Sequence, residues 1–298
     1  MPAPTSRRFR RRTLLIVGCG DIGLRVARLF RGRCRLLALT PSPARRELLR
    51  RAGAVPLLGD LDQAATLARL AGVADAVLHL APPPPEGEHD TRTAHLLDAL
   101  ARRGGVRRIV YASTSGVYGD CGGARFDETR TPRPATARAR RRVDAEARLR
   151  CYGRRSGAAV SLLRIPGIYA ADRVGGHPRE RLQRGTPVLA PADDVYTNHI
   201  HADDLARACV AALHRGRPQR VLHVSDDSEL RMGEYFDLAA DLCGLPRPPR
   251  IARAEAASRL TPMQLSFMEE SRRLDNRRLE RELKLRLRYP TVAEGLMA

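Results

Sequence analysis

Six residues near the start of the chain, Gly18-Cys19-Gly20-Asp21-Ile22-Gly23, have the spacing to cradle a phosphate. The G-x-G-x-x-G pattern follows the apolar run at 14–17 and opens into the helix-like LRVARLF, the context that gives it meaning. Gly18 allows a tight turn, Gly20 lets a diphosphate approach the backbone, and Gly23 lets the helix pack close to the strand. The helix start, with Asp21 and Ile22, then offers unpaired N–H groups and a positive dipole end. These six residues predict a dinucleotide site. About twenty residues on, an NAD site places a carboxylate against the ribose 2′-hydroxyl. Here the chain reads Leu39, Thr40, Pro41 and Ser42, then Arg45 and Arg46, with no acid. Hydroxyls and an arginine suit a 2′-phosphate, because a guanidinium grips phosphate with two parallel bonds. We expect NADP, with NAD left open; Arg45 and Arg46 also fit an ordinary solvated helix face.

Two further groups could do chemistry. STSGVYG at 113–119 sets small hydroxyl residues at a strand end, and ATARARRRVDAE at 135–146 holds four arginines and no aromatic. Alone, the second reads as a basic arm for nucleic acid, and the net charge of +20 agrees. Yet 52 of the 53 basic residues are arginine, with Lys284 the only lysine, a skew of base composition rather than of phosphate binding. The arginines are spread along the chain, often opposite acids at helical spacing, as Arg140 is to Asp144 and Arg142 to Glu146. Aromatics are 4%, without Trp, so stacking platforms are scarce. We expect no specific nucleic-acid partner. His199 and His201 share one strand face near Asp203 and Asp204, but a third ligand is missing, and no metal is expected. Cysteines 19, 34, 121, 151, 209 and 243 form no Cys-x-x-Cys pair and read as free thiols in a reducing compartment. RRFRRR at 7–12 precedes an apolar stretch that GCGDIG breaks at once, so neither a signal core nor a membrane span follows. Residues 1–12 read as a disordered basic tail, on a cytoplasmic protein with no membrane partner.

The elements that must hold these residues alternate. Strands are expected at 14–17, 35–39, 54–60, 76–81 and 107–119, and helices at 24–30, 44–54, 65–73 and 93–105. That alternation predicts βαβ units and an α/β, Rossmann-type doubly wound parallel sheet, with a small C-terminal substrate cap. The Rossmann domain is expected over 13–165 with 195–228, and the cap over 166–194 with 229–298. Pro82 to Pro85 form a rigid loop at a strand end, where such sheets keep their ligands.

Eight motifs in order carry a resemblance that covers 13–296. They are GCGDIG, Gly59-Asp60-Leu61, VLHLA at 77–81, STSGVYG, LLRIPGIYAADR at 162–173, NHIHADDLARA at 198–208, VLHVSDD at 221–227 and the closing RRLDNRRLERELKLRLRYPTVAEGL. On them the chain resembles the extended short-chain dehydrogenase/reductases, the NAD-dependent epimerases and dehydratases. The resemblance implies that Asp60 accepts from the adenine amino group and Leu61 packs on the ring. It also implies that Leu80 and Ala81 line the ribose and pyrophosphate, and that Pro166-Gly167-Ile168 borders the nicotinamide. Thr114 stands at the active-site hydroxyl. The family's acid–base pair is Tyr-x-x-x-Lys, followed by Glu four residues after the Lys. Glu146 is that Glu, which puts Arg142 at the Lys position and Arg138 at the Tyr position. An arginine stays protonated at any working pH, so Arg138 is no general base, though it can bind a phosphate, a carboxylate or an oxyanion. Two readings stay open. One is an oxidoreductase, epimerase or dehydratase acting on a small anionic substrate, sugar nucleotide or other, through Thr114 and a proton carrier such as Tyr118, Tyr169 or water. The other is a non-catalytic NAD(P)-binding sensor or scaffold. A homodimer is left open.

Overall fold

The run Thr-Leu-Leu-Ile-Val at 13–17 is buried along its whole length, as a strand covered on both faces must be. It is β1 (Thr13–Val17) in a computed structural model that describes residues 12–298; the tail read at 1–12 thus lies, but for Arg12, outside the described residues. The other strands follow in chain order: β2 (Arg35–Thr40), β3 (Val55–Leu58), β4 (Ala76–His79), β5 (Arg108–Thr114), β6 (Arg125–Phe126), β7 (Ala159–Ile165), β8 (Gly167–Tyr169), β9 (Val188–Leu189), β10 (His199–His201), β11 (Arg220–His223), β12 (Arg250–Ile251) and β13 (Arg273–Leu274). Seven of them form one parallel sheet in the order β3-β2-β1-β4-β5-β7-β11. The chain starts at the sheet's centre, works outward one way, then crosses back over β1 to β4, so the reversal lies between β1 and β4. This is the Rossmann-type α/β fold that the alternation predicts.

The main helices are α1 (Asp21–Phe30), α2 (Arg46–Arg51), α3 (Thr91–Ala101), α4 (Ala137–Ser156), α5 (Arg179–Gln183), α6 (Ala202–Arg215) and α7 (Met232–Cys243). One apolar cluster packs α1 and α6 on one face of the sheet, and a second packs α3 and α4 on the other. A third gathers Tyr169, Leu182, Val188, Tyr235, Phe236 and Val292 away from the sheet. Leu279, Leu283 and Leu285, from the closing segment, return to the first cluster. The arginine-rich α4 is helical because both ends are capped and one face is buried. Thr136 Oγ1 accepts from the Ala139 amide at 3.1 Å, and Gly157 ends the helix in the left-handed conformation. Its buried residues include Ala139, Arg142, Ala145, Glu146 and Leu149, at three- and four-residue steps.

Two expectations are corrected. The stretch expected as a helix at 65–73 forms 3-10 turns over Ala64–Leu70, whose three-residue period sets Leu67 and Leu70 on one buried face. The expected helical ion pairs of Arg140 with Asp144 and Arg142 with Glu146 do not form. Arg140 reaches Glu88, Asp144 takes Arg148, and Glu146 is claimed from the sheet by Arg164.

Three histidines are buried without charge. Burial lowers His79 and His199 to about 3 and His223 to about 4, below the ordinary value near 6.5. The unfolded chain therefore binds protons that the fold refuses. Stability should be complete above about pH 6.5 and fall toward pH 4, by up to about 1.4 kcal/mol per pH unit for each histidine. Urea denaturation at about pH 7.5 and about pH 4.5 measures this; equal stabilities would rule out the neutral buried imidazoles.

Candidate active site at the glycine loop

The carboxyl ends of β1, β2 and β4 open onto a cavity of about 520 Å³, lined by Gly18, Gly20, Thr40, Ser42, Arg45, Asp60, Leu61, Leu80 and Ala81. The three glycines of the loop are there for different reasons. Gly18 has φ +82°, and a Cβ on it would lie 2.7 Å from the Cα of Ala81. A Cβ on Gly23 would press Cys19 Sγ at 3.2 Å and Ile16 Cγ2 at 3.3 Å, so α1 rests directly on β1. Gly20, the residue capping α1, meets nothing within 4 Å, and any side chain there would stand in the cavity. A cradle kept clear in this way, under a helix N-terminus, fits the diphosphate of a dinucleotide.

The end of the cavity beside β2 and β3 holds two carboxylates, Asp60 and Asp62. Asp62 is held by Arg92 through bonds of 2.7 and 2.6 Å, and Asp60 Oδ1 accepts from the Asp62 amide at 3.0 Å. Thr40 is buried, its Oγ1 accepting from the Ser42 amide at 3.3 Å. Arg45 Nη2 donates to the Cys19 carbonyl at 2.8 Å, which lays its guanidinium over the edge of the glycine loop. Burial raises the Cys19 thiol to about 11 and keeps it protonated.

A second cavity of about 260 Å³ shares Gly18, Gly20 and Leu80 with the first and adds Asp21, Ile22, Gly23, Thr114, Arg138, Arg142, Pro166 and Arg173. The glycine loop and the Arg138–Arg142 face of α4 thus border one continuous cleft. Thr114 Oγ1 accepts from the Gly116 amide at 3.2 Å and caps the turn Ser115–Tyr118. Arg142 is buried; its Nη1 donates to the Tyr111 hydroxyl at 2.9 Å and the Ala112 carbonyl at 2.7 Å. Both acceptors are neutral, and Arg142 makes no ion pair among the described residues. Burial raises Tyr111 to about 12, and it stays a phenol. Arg138 is an exposed residue on the lip of the cavity and makes no hydrogen bond or ion pair among the described residues. Lost solvation, with Arg142 and Arg141 beside it, disfavours its charged form. An anion bound at that lip would relieve both effects.

The two tyrosines considered as proton carriers do not reach this cleft. Tyr118 is 1% exposed and its hydroxyl is held by His223 Nε2 at 2.6 Å and Arg164 Nη1 at 2.7 Å. Tyr169 is 2% exposed and donates to the Thr291 carbonyl at 3.3 Å. Burial raises both, so neither ionises near neutral pH. His199 stacks on Tyr235 at 4.1 Å, and His201 caps α6 by accepting from the Asp203 amide at 3.2 Å. Asp204 accepts from the backbone amides of Arg288 and Tyr289, each at 2.8 Å. These residues have structural partners, and no group of three metal-ligating side chains occurs among the described residues. Arg173 was not read from the sequence as a site residue, although it ends the LLRIPGIYAADR motif; its position depends on a contact with Asp21, 152 residues away. Replacing Gly20 by valine should leave the thermal transition in place, since nothing lies within 4 Å, while abolishing nicotinamide dinucleotide binding in a fluorescence titration. Unchanged binding would show that the phosphates lie elsewhere.

Known proteins bear on this arrangement. A solved structure of a conserved, functionally unknown protein from Silicibacter pomeroyi is 32% identical and superposes with a TM-score of 0.81, covering 96% of this chain and 97% of that one. A dTDP-glucose 4,6-dehydratase double mutant from Streptomyces venezuelae, solved with NAD bound, shares the fold at 22% identity and a TM-score of 0.74, with 95% of each chain covered. The trifunctional UDP-glucose 4,6-dehydratase/UDP-4-keto-6-deoxy-D-glucose 3,5-epimerase/UDP-4-keto-L-rhamnose-reductase of Arabidopsis thaliana is 26% identical over 161 residues. That stretch is 50% of this chain and only 23% of the plant protein, so the chain spans about a quarter of that relative's length. The profile of the NAD dependent epimerase/dehydratase family matches residues 14–225, from the first strand of the sheet through the last. The chain belongs to the NAD-dependent epimerase/dehydratase family.

Proposed function

We propose that this protein is an NADP-using oxidoreductase of the epimerase or dehydratase type, acting on a small anionic substrate such as a sugar nucleotide. One observation carries the reading: Arg138, a cation with no partner among the described residues, borders the cleft that also holds the glycine loop and Thr114. The preference for NADP rests on the end of β2, where Thr40, Ser42 and Arg45 stand in place of a carboxylate. The preference for a sugar nucleotide rests on the family and on what its members are known to process. The substrate side of the cleft is assigned to 166–194 with 229–298, apart from the leucines that return to the sheet.

When bound, the nicotinamide accepts or donates a hydride. Thr114 would offer its hydroxyl to the reacting oxygen of the substrate, and Pro166 would border the ring. Arg138 binds the substrate's anionic group. Arg142, held on the Tyr111 hydroxyl and the Ala112 carbonyl, sets its guanidinium beside the cleft, which favours the reduced cofactor or a negatively charged ligand. With Tyr118 and Tyr169 buried and bonded elsewhere, water entering with the substrate carries the proton.

NADPH should bind more tightly than NADH, and Arg45→Ala should weaken NADPH by about tenfold with little effect on NADH. An NADH preference that survives Arg45→Ala would refute the assignment. Turnover is sought by following cofactor absorbance against a panel of alcohols, aldehydes and nucleotide sugars. Arg138→Ala should raise KM for an anionic substrate without moving the pH profile, because arginine does not titrate in the working range. A native profile governed by one group near neutrality, and lost in Arg138→Ala, would contradict that role. Tight cofactor binding without turnover of any substrate would overturn the enzymatic reading.

A further inference from the structure

Asp21 opens α1, where a carboxylate complements the helix dipole yet stands beside the place a diphosphate would occupy. Its two oxygens are occupied. Oδ1 accepts from Arg25 Nε at 3.0 Å, and Oδ2 accepts from Arg173 Nη1 at 2.5 Å. Arg173 belongs to the strap at 170–178 that follows β8, and it lines the inner cavity together with Gly20. The strap is pinned in place. Arg25, itself 8% exposed, also binds Asp172 of the strap, and donates to Asp203 of α6 at 2.5 Å, so one guanidinium joins three segments. The strap's own backbone closes on the stem of Arg173: a Cβ at Gly176 would stand 2.6 Å from its Cδ. Of Arg173's side-chain nitrogens, Nη1 alone has a partner among the described residues, which leaves the rest of the fork for a ligand.

Resting on the reading that this cleft holds a dinucleotide, we propose that Arg173 is a direct ligand to the cofactor's diphosphate, docked on Asp21 until the phosphates arrive. The glycine loop would bind one side of the diphosphate through backbone N–H groups, and the strap would close the other with a charge. A guanidinium prefers a phosphate's paired oxygens to one shared carboxylate oxygen, and the exchange leaves Asp21 with Arg25.

Calorimetric titration of three probes tests this. NADPH and ADP-ribose carry a diphosphate, and adenosine 2′-monophosphate does not. Arg173→Ala should weaken the first two by about tenfold or more and leave the third unchanged. Arg173→Gln replaces it if the alanine variant loses its thermal transition. The double change Asp21→Asn, Arg173→Ala should keep the loss. Recovery of normal affinity in the double variant would mean that Arg173 only screens Asp21, and would overturn the proposal. Equal affinity of Arg173→Ala and the unaltered protein for ADP-ribose would also overturn it, with the dinucleotide reading left standing. Failure of the unaltered protein to bind either nicotinamide dinucleotide would remove both.

Discussion

A buried ion pair fixes the geometry of the cleft. Glu146 on α4 and Arg164 on β7 meet at 2.6 and 3.1 Å with side chains 5% and 4% exposed. Their spare bonding capacity is used: Ser113 at the end of β5 donates to Glu146 at 2.6 Å, and Arg164 also donates to Tyr118, which bonds His223 on β11. One polar chain thus ties α4 to three neighbouring strands. Loss of either charge would strand the other in the core at about 3–5 kcal/mol, whereas the intact pair adds far less net stability than that figure suggests. What it gives is register. With Glu146 held, Arg142 one turn earlier must meet the Tyr111 hydroxyl and the Ala112 carbonyl, and Arg138 one turn further arrives at the lip.

That register explains how an arginine-rich helix can furnish part of a cleft as well as a solvated face. Its arginines are divided by direction. Arg140 and Arg148 meet carboxylates at the surface, and Arg141 binds the Gly87 and Pro85 carbonyls at 2.6 and 2.8 Å. Arg142 and Arg138 border the cleft. Where a titrating phenol and a lysine would let a proton come and go, two guanidinium groups hold a fixed charge. Under the proposed function the cleft would trade adjustable acidity for electrostatic attraction, with the proton carried by substrate or solvent.

Much of this was legible in the sequence because its signals are local. The glycine loop and the five leading strands are set by spacing within twenty residues or fewer, and the motifs placed Thr114, Arg138 and Arg142 on the segments that border the cleft. The tyrosines show where local reading stops. Nothing near Tyr118 or Tyr169 announces that His223 and Thr291, more than a hundred residues away, hold their hydroxyls inside the core. The helical ion pairs failed for a related reason: spacing offered Glu146 to Arg142, but Arg164 reaches it from the sheet in a buried setting where its charge counts for more. The stretch at 64–70 turned on a smaller point, since Leu67 and Leu70 satisfy both a 3.0 and a 3.6 period over so short a span.

The path of the chain has a consequence for how the molecule is made. After Ile165 at the end of β7 the polypeptide leaves the central sheet, builds the strap, α5, β10 and α6, and returns only at Arg220 with β11. Until that return the outer edge of β7 has no strand beside it, and Tyr118 and Arg164 lack the imidazole that completes their network. Pairing across so long an excursion is slow, because loop closure must precede any reward from contact. A nascent chain therefore carries an apolar, parallel-strand edge open to any other extended segment for the whole of that interval. The same excursion that roofs the cleft makes completion of the sheet the late and aggregation-exposed step of folding.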